Sequence, residues 1–278
     1  MLDDERNDVY LHVDARAVEL FNQFKDFQLK KGKLIILKNR IAVHWGDLSQ
    51  VEVEYRLFET ALNNGPYAYY HLLSGVDLPI KTQDYIHEFF QKHAGKEFIG
   101  FWNEPSHRKD VYRKVYRYYL FTQYFKEGSS FVHGITAFTR NVFLGIQKLT
   151  KFKRKHDWDN FYKGFTWVSI TNDFCHYLVD KKTDIMKTFR YTLWPDEIFI
   201  QTLIWNSPFR ANIYDFSDTS KGSMRAIDWR RGSPYVWRLE DVDELKNSPY
   251  LFARKFSSRY PDIIERLFTV YSTLEQHV

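Results

Sequence analysis

The chain has 278 residues, 44 % hydrophobic and 27 % charged, which fits one large α/β domain or two small ones. Its aromatic content is high, with 24 Phe, 19 Tyr and 8 Trp; this excludes a largely disordered chain and suits stacking on flat ligands such as sugars or bases. A net charge of +5 with the single cysteine Cys175 leans toward anionic ligands, stops far short of a nucleic-acid coat and excludes a disulfide framework.

No apolar run approaches the ~18 residues of a membrane span, and the acidic start MLDDERND is unlike a signal peptide. A soluble, cytoplasmic protein without a transmembrane segment or an obvious amphipathic anchor is expected. Repeats, low-complexity stretches and Pro/Gly-rich linkers are missing from the sequence, so a single domain over 1–278 is the simplest organisation. The first half alternates β-rich runs with helical patterns, the βαβ signature of a mainly parallel sheet. Val9–Val13 reads as a strand ending at Asp14, followed by a helix from Ala15 to about Phe27. Lys33–Leu37 is a second strand, and Ser49 is expected to cap a helix through Asn63. After the turn Asn64-Gly65-Pro66, the aromatic strand Tyr67–Leu73 opens into Ser74-Gly75-Val76-Asp77. Thr82 caps the next helix, and Glu97–Phe101 reads as a further strand.

In the second half, Thr166–Thr171 is a strand, and Asn172-Asp173 begin a helix carrying Cys175 and His176. Pro195-Asp196-Glu197 opens another helix, with proline first and acids in the first turn. Arg225–Trp229 is a short strand, Leu239-Glu240-Asp241 starts a helix, and Leu251–Phe256 precedes the last one.

Ligands in open α/β sheets bind at the carboxyl ends of strands, which singles out Asp14 and Asp77. On spacing alone each reads first as a helix cap or turn residue. Two Asp-x-Asp triplets, Asp157-Trp158-Asp159 and Asp241-Val242-Asp243, follow no buried strand and make poor metal sites. The histidines lack zinc spacing, and no HExxH, GxSxG or P-loop occurs. Cys175 reads as a helix-face thiol. Arg108–Arg117 interleaves bases with tyrosines, and at +5 overall a solvated helix face or a contact to an anionic acceptor outweighs nucleic-acid binding. Glu197 at a helix N-terminus would stay ionised beside the positive end of the dipole and could take a proton from a sugar hydroxyl. By spacing alone it is an ordinary first-turn acid, and Arg225 and Lys255 are equally bland.

In combination, the segments VYLHVD (9–14), VHWGDLSQVEVE (43–54), YYHLLSGVDLPIKT (69–82), GFTWVSIT (164–171), WPDEIFIQT (194–202), NSPF (206–209), RAIDWRRGSP (225–234) and SPYLFARKF (248–256) resemble the core-2/I-branching β-1,6-N-acetylglucosaminyltransferase family, which includes the peptide O-xylosyltransferases. They run in order through nearly the whole chain. The resemblance implies a GT-A-type α/β fold and an inverting, metal-independent transfer from a UDP-sugar, needing no cofactor. It implies Glu197 as catalytic base, Arg225 and Lys255 as cations on the UDP diphosphate, and Asp14 and Asp77 on the donor side. Trp167 and Glu104 are implied on the acceptor side. A nucleotide-binding half is expected at about 1–100 and an acceptor and catalytic half at about 101–278.

The family's first strand is expected to be missing, because the chain begins close to the second. The animal members' membrane anchor and disulfides have no counterpart in the sequence, so the resemblance points to a bacterial-type member acting on a surface-polysaccharide precursor, expected in the cytoplasm or peripheral to the inner membrane. Expected partners are a UDP-sugar, UDP-GlcNAc first and UDP-xylose as the alternative, and a glycan or lipid-linked oligosaccharide acceptor. A non-catalytic glycan- or nucleotide-binding relative is the reading from another class.

Overall fold

The computed structural model describes residues 1–126 and 129–275. The N-terminal part runs β1 (Asp8–Leu11), α1 (Val18–Phe24), β2 (Lys33–Ile36), α2 (Leu48–Leu62), β3 (Tyr69–His71), β4 (Asp77–Pro79) and α3 (Gln83–Lys92). The middle holds α4 (Pro105–Val115), α5 (Ser130–Leu149), β5 (Ser169–Thr171), α6 (Asn172–Asp180) and α7 (Lys182–Phe189). The C-terminal part comprises α8 (Phe199–Trp205), α9 (Thr219–Ser223), β6 (Arg225–Ile227), α10 (Val242–Asn247), β7 (Phe252–Arg254) and α11 (Pro261–Glu275).

Helix starts follow side-chain chemistry. Thr82, Ser129 and Thr171 each accept a backbone N–H of the first turn, opening α3, α5 and α6. Asp47, not Ser49, caps α2: its carboxylate accepts the Ser49 N–H, while the Ser49 hydroxyl accepts the His44 N–H at 2.9 Å. α1 is shorter than expected because none of its residues is buried, so nothing extends it beyond Phe24.

The mainly parallel central sheet gives way to three small sheets among the described residues. β1 pairs parallel with β2 and β6 with β7, whereas β3 pairs antiparallel with β5 and β4 with β7. Glu97–Phe101 is not a strand: only Glu97 and Phe98 make single bridges, to Ile213 and Ser169. The buried Glu97 carboxylate instead accepts the Thr171 N–H at 2.9 Å, tying this segment to the start of α6. The main core packs α2, α6, α7 and α8 around Val51, Tyr55, Phe58, Phe174 and Phe199, each worth roughly 1.5–3 kcal/mol of burial. A second core under α10 and α11 supports β6 and β7 through Trp237, Ala253 and Leu267. Both cores hold strand ends in fixed positions around the polar groups described next.

Candidate functional site

Glu197 does not open an α-helix directly. Trp194, at φ 52°, swings the chain into a single 3-10 turn, Pro195–Glu197, ahead of α8. Gly46, at φ +77°, permits the close approach: a Cβ there would lie 2.8 Å from the Trp194 indole nitrogen. The turn leaves the Asp196 side chain buried and that of Glu197 part-exposed. Glu197 Oε2 meets Lys163 Nζ at 2.9 Å, Lys163 lies 3.3 Å from Asp110, and Asp110 lies 2.7 Å from Lys114. Charges therefore alternate along four groups. Burial pulls Lys114 down to about 8, helped by the like charge of Lys163. Burial pushes the same way on Lys163, but Glu197 outweighs it and holds that ammonium above its ordinary value. Each lysine also covers an aromatic face, Lys163 over Trp102 at 4.5 Å and Lys114 over Trp194 at 4.2 Å.

Behind Glu197, Asp196 accepts the Gln50 amide and the Thr166 hydroxyl, each at 3.1 Å, on one oxygen. Its other oxygen has no partner among the described residues. Burial, with the charge of Glu197 adding, pushes Asp196 up to about 7. Glu54 is also buried and has an unpartnered oxygen; burial raises it well above the usual carboxylate range, and Asp196 contributes. Two neighbouring acids with little to neutralise them favour their protonated forms.

A second cluster joins β4 to β7. Register places Asp77 opposite Arg254, and Arg254 Nη1 donates to Asp77 at 3.1 Å and to Ser74 Oγ at 3.0 Å. The guanidinium also stacks on Trp167 at 3.5 Å. Arg225 behaves differently from expectation. It is 2 % exposed and donates inward to the Ser223 and Val168 carbonyls and to Ser169 Oγ, because β6 sets its side chain into the interior. Burial pulls its pKa down to about 9. Arg254, unlike Arg225, lines the cavity described below. Lys255 is half-buried, and its ammonium has no hydrogen-bond or ion-pair partner among the described residues.

An aromatic wall connects the clusters. Trp167 neighbours Phe165 at 6.2 Å, and Phe165 neighbours Trp229 at 6.3 Å and Trp102 at 5.7 Å. Trp102 thus ends beside Lys163 and Glu197, while Trp167 ends beside Arg254 and Asp77. Glu104 lies two residues beyond Trp102 at the start of α4, its side chain 78 % exposed and 3.8 Å from His107. Asp14 stands apart. It accepts the Val43 N–H at 3.0 Å and pairs with Arg16 at 2.9 Å, and the Arg16 hydrogen bonds hold it well below the usual carboxylate range.

A cavity of about 1280 Å³ borders Asp8–His12, α2, Tyr67–Gly75, Asp77, Trp167, Asp196 and Arg254. Of the residues singled out by sequence, it unites Asp77 and Trp167. Asp196, next to Glu197, lines it, whereas Glu197, Asp14, Glu104, Arg225 and Lys255 do not. Sequence reasoning missed Arg254, Lys163, Asp196 and Trp229. Arg254 and Lys163 were signalled only by position, one residue before Lys255 and one before the GFTW segment.

Comparison with known proteins supplies the family. The family model described as Core-2/I-Branching enzyme matches residues 1–245. The chain is similar to "Xylosyltransferase oxt" of Drosophila melanogaster, 24 % identical over 267 residues, 89 % of this chain and 28 % of the relative. It is similar to "Xylosyltransferase 1" of Canis lupus familiaris, 25 % identical over 90 % of this chain and 26 % of that protein. The mouse "Xylosyltransferase 2" is 25 % identical over 91 % of this chain and 29 % of its own length. The chain thus spans less than a third of the length of these curated relatives.

Proposed function

The chain belongs to the core-2/I-branching enzyme family, and from that membership we propose that it is an inverting, metal-independent glycosyltransferase acting on a UDP-sugar. The carrying observation is the part-exposed Glu197 carboxylate, held 2.9 Å from Lys163 at one end of an aromatic wall whose other end carries Arg254. Glu197 removes the proton of an acceptor hydroxyl as that oxygen attacks the anomeric carbon. The diphosphate leaves from the opposite face, so an α-linked donor gives a β-linked product. Protonated Asp196 keeps a second negative charge away from Glu197, while the ion pair with Lys163 at 2.9 Å positions the Glu197 carboxylate.

Arg254 and the unpaired Lys255 receive the developing charge on the diphosphate, the electrostatic work that a metal performs elsewhere. Asp77, the single carboxylate where a metal pair is customary, is already bound to Arg254 and the Ser74 N–H, which supports a metal-free reaction. Arg225 acts one layer further in, fixing Val168 and Ser169 beside Trp167. Asp14 orders the Arg16 and Val43 segment on the nucleotide side. The aromatic wall from Trp167 to Trp102, with Glu104 beyond it, suits sugar faces on the acceptor side.

The domain is read as GT-A-type, with nucleotide-binding and acceptor halves near 1–100 and 101–278; among the described residues β1 pairs with β2 and β3 with β5, and the cavity follows consecutive residues of both. UDP-GlcNAc is the donor inferred from the sequence, with a surface-polysaccharide acceptor in a bacterial cytoplasm. The relatives' name, xylosyltransferase, favours UDP-xylose as the second donor to test. Glu197→Gln is expected to lower transfer by about 10²–10⁴-fold, with UDP-sugar affinity by calorimetry unchanged. Undiminished transfer by that variant removes Glu197 as the base. Donor binding without transfer in the unaltered protein supports the non-catalytic alternative.

A further inference from the structure

Helix α5 turns its apolar side outward. Over a length of about 30 Å, the residues it buries are Thr136, Arg140 and Gln147. Local contacts hold them: Gln147 brackets the Tyr118 backbone, accepting its N–H at 2.8 Å and donating to its carbonyl at 3.0 Å. Thr136 Oγ1 donates to the Val132 carbonyl, and Arg140 lies over Phe125 at 4.7 Å. The opposite face presents Phe131, Ile135, Phe138, Val142, Ile146 and Leu149, at steps of four, three, four, four and three. These form one continuous stripe. Phe131, Phe138 and Leu149 are 76 %, 72 % and 85 % exposed, a contiguous apolar surface that an isolated soluble domain avoids.

Charge identifies what covers it. Residues 129–156 contain no Asp or Glu. Lys148, Lys151, Lys153 and Lys155 stand exposed at the C-terminal end of the stripe without ion-pair partners among the described residues, and Lys126 stands exposed before its start. A second copy of the chain paired in parallel would set these lysines against each other, and residues 129–156 offer no acids to meet them. No helix of the described residues is long and apolar enough to cross a membrane. A helix with an apolar stripe, a basic border and no acids matches the headgroup layer of an anionic bilayer.

We propose that α5 is a membrane-docking helix that lies in the interface of an anionic phospholipid surface, its apolar stripe immersed and its lysines on the headgroups. The sequence alone hid this anchor, since an outward stripe has the same period as a core-facing one; only the inward position of Thr136, Arg140 and Gln147 reverses the reading. The helix also adjoins the site. Phe125, beneath Arg140, packs on Trp194 at 5.3 Å, next to the turn bearing Glu197.

Vesicle flotation tests the proposal, using the full chain with phosphatidylcholine vesicles with and without phosphatidylglycerol. Binding is expected with phosphatidylglycerol and to weaken with added salt. Phe138→Asp combined with Leu149→Asp should reduce it on the order of tenfold or more, with the melting temperature unchanged because both side chains are exposed. Lys148→Gln with Lys151→Gln and Lys155→Gln should remove the preference for phosphatidylglycerol. Absence of binding to either vesicle, or binding that these variants leave intact, overturns the proposal. So does light scattering that shows a dimer in the unaltered protein and a monomer in the Phe138→Asp, Leu149→Asp variant, which would make the stripe a self-association surface.

Discussion

Glu197 ends a line of alternating charges, Lys114, Asp110, Lys163 and Glu197, and the acid beside it in sequence is kept out of that line by burial. Asp196 therefore offers a test that leaves the base itself intact. Burial pushes its carboxyl up to about 7, above the ordinary carboxylate range, so the folded state binds the proton more tightly than the unfolded one. That contribution is fully present below pH ~4 and is lost as pH rises through about 7. Asp196→Asn keeps an acceptor for Gln50 and Thr166 and removes the ionisation. The stability of the variant relative to the unaltered protein should rise by a few kcal/mol between pH 5 and pH 8. Thermal melts across that range check it, and a constant difference refutes a protonated Asp196. The sequence could single out Glu197 through its motif, but it could not separate the two adjacent acids. Their exposure is set by Trp194 and Gly46, which meet through tertiary packing.

At the scale of elements, β5 joins a histidine on the cavity wall to a buried hydroxyl and arginine behind it. His71 on β3 lies 2.8 Å from Ser169 Oγ on β5, and Arg225 on β6 donates to the same hydroxyl at 3.0 Å. Desolvation within the cavity wall, reinforced by the Arg225 charge, draws the His71 pKa down to about 3. A depressed histidine stabilises the fold above its unfolded pKa of about 6.5, and that contribution is lost as pH falls toward 3. His71→Gln is accordingly expected to unfold less steeply in acid between pH 6.5 and 4; chemical denaturation at several pH values measures this, and parallel acid profiles for both proteins contradict it. Helix starts at Thr82 and Thr171 were legible because a cap acts within three residues. The pairing of Asp77 with Arg254 was not, because 177 residues separate the partners and only the β4–β7 register joins them. The inward setting of Arg225 was hidden for the same reason: a strand residue's side is fixed by its neighbours, not by its own motif.

For the whole molecule, the motif order from residue 9 to residue 234 was legible and agrees with the family match over 1–245, beyond which the segment 248–256 lies. The sheet was not. Short β-rich runs separated by helical patterns predict a parallel array, yet β3 and β4 find antiparallel partners contributed by distant segments. The outward stripe of α5 was equally hidden, since periodicity gives a helix its faces without saying which one is buried. The central claim concerns the reaction: one carboxylate base and fixed cations suffice for transfer from a UDP-sugar. The measurement that tests it most directly is UDP release from UDP-GlcNAc, UDP-xylose, UDP-GalNAc, UDP-glucose and UDP-galactose, with EDTA and with Mn²⁺, for the unaltered protein and for Glu197→Gln. The account predicts release from one donor that is equal in EDTA and Mn²⁺ and is lost in Glu197→Gln. Release that requires Mn²⁺, or that persists in Glu197→Gln, would contradict it.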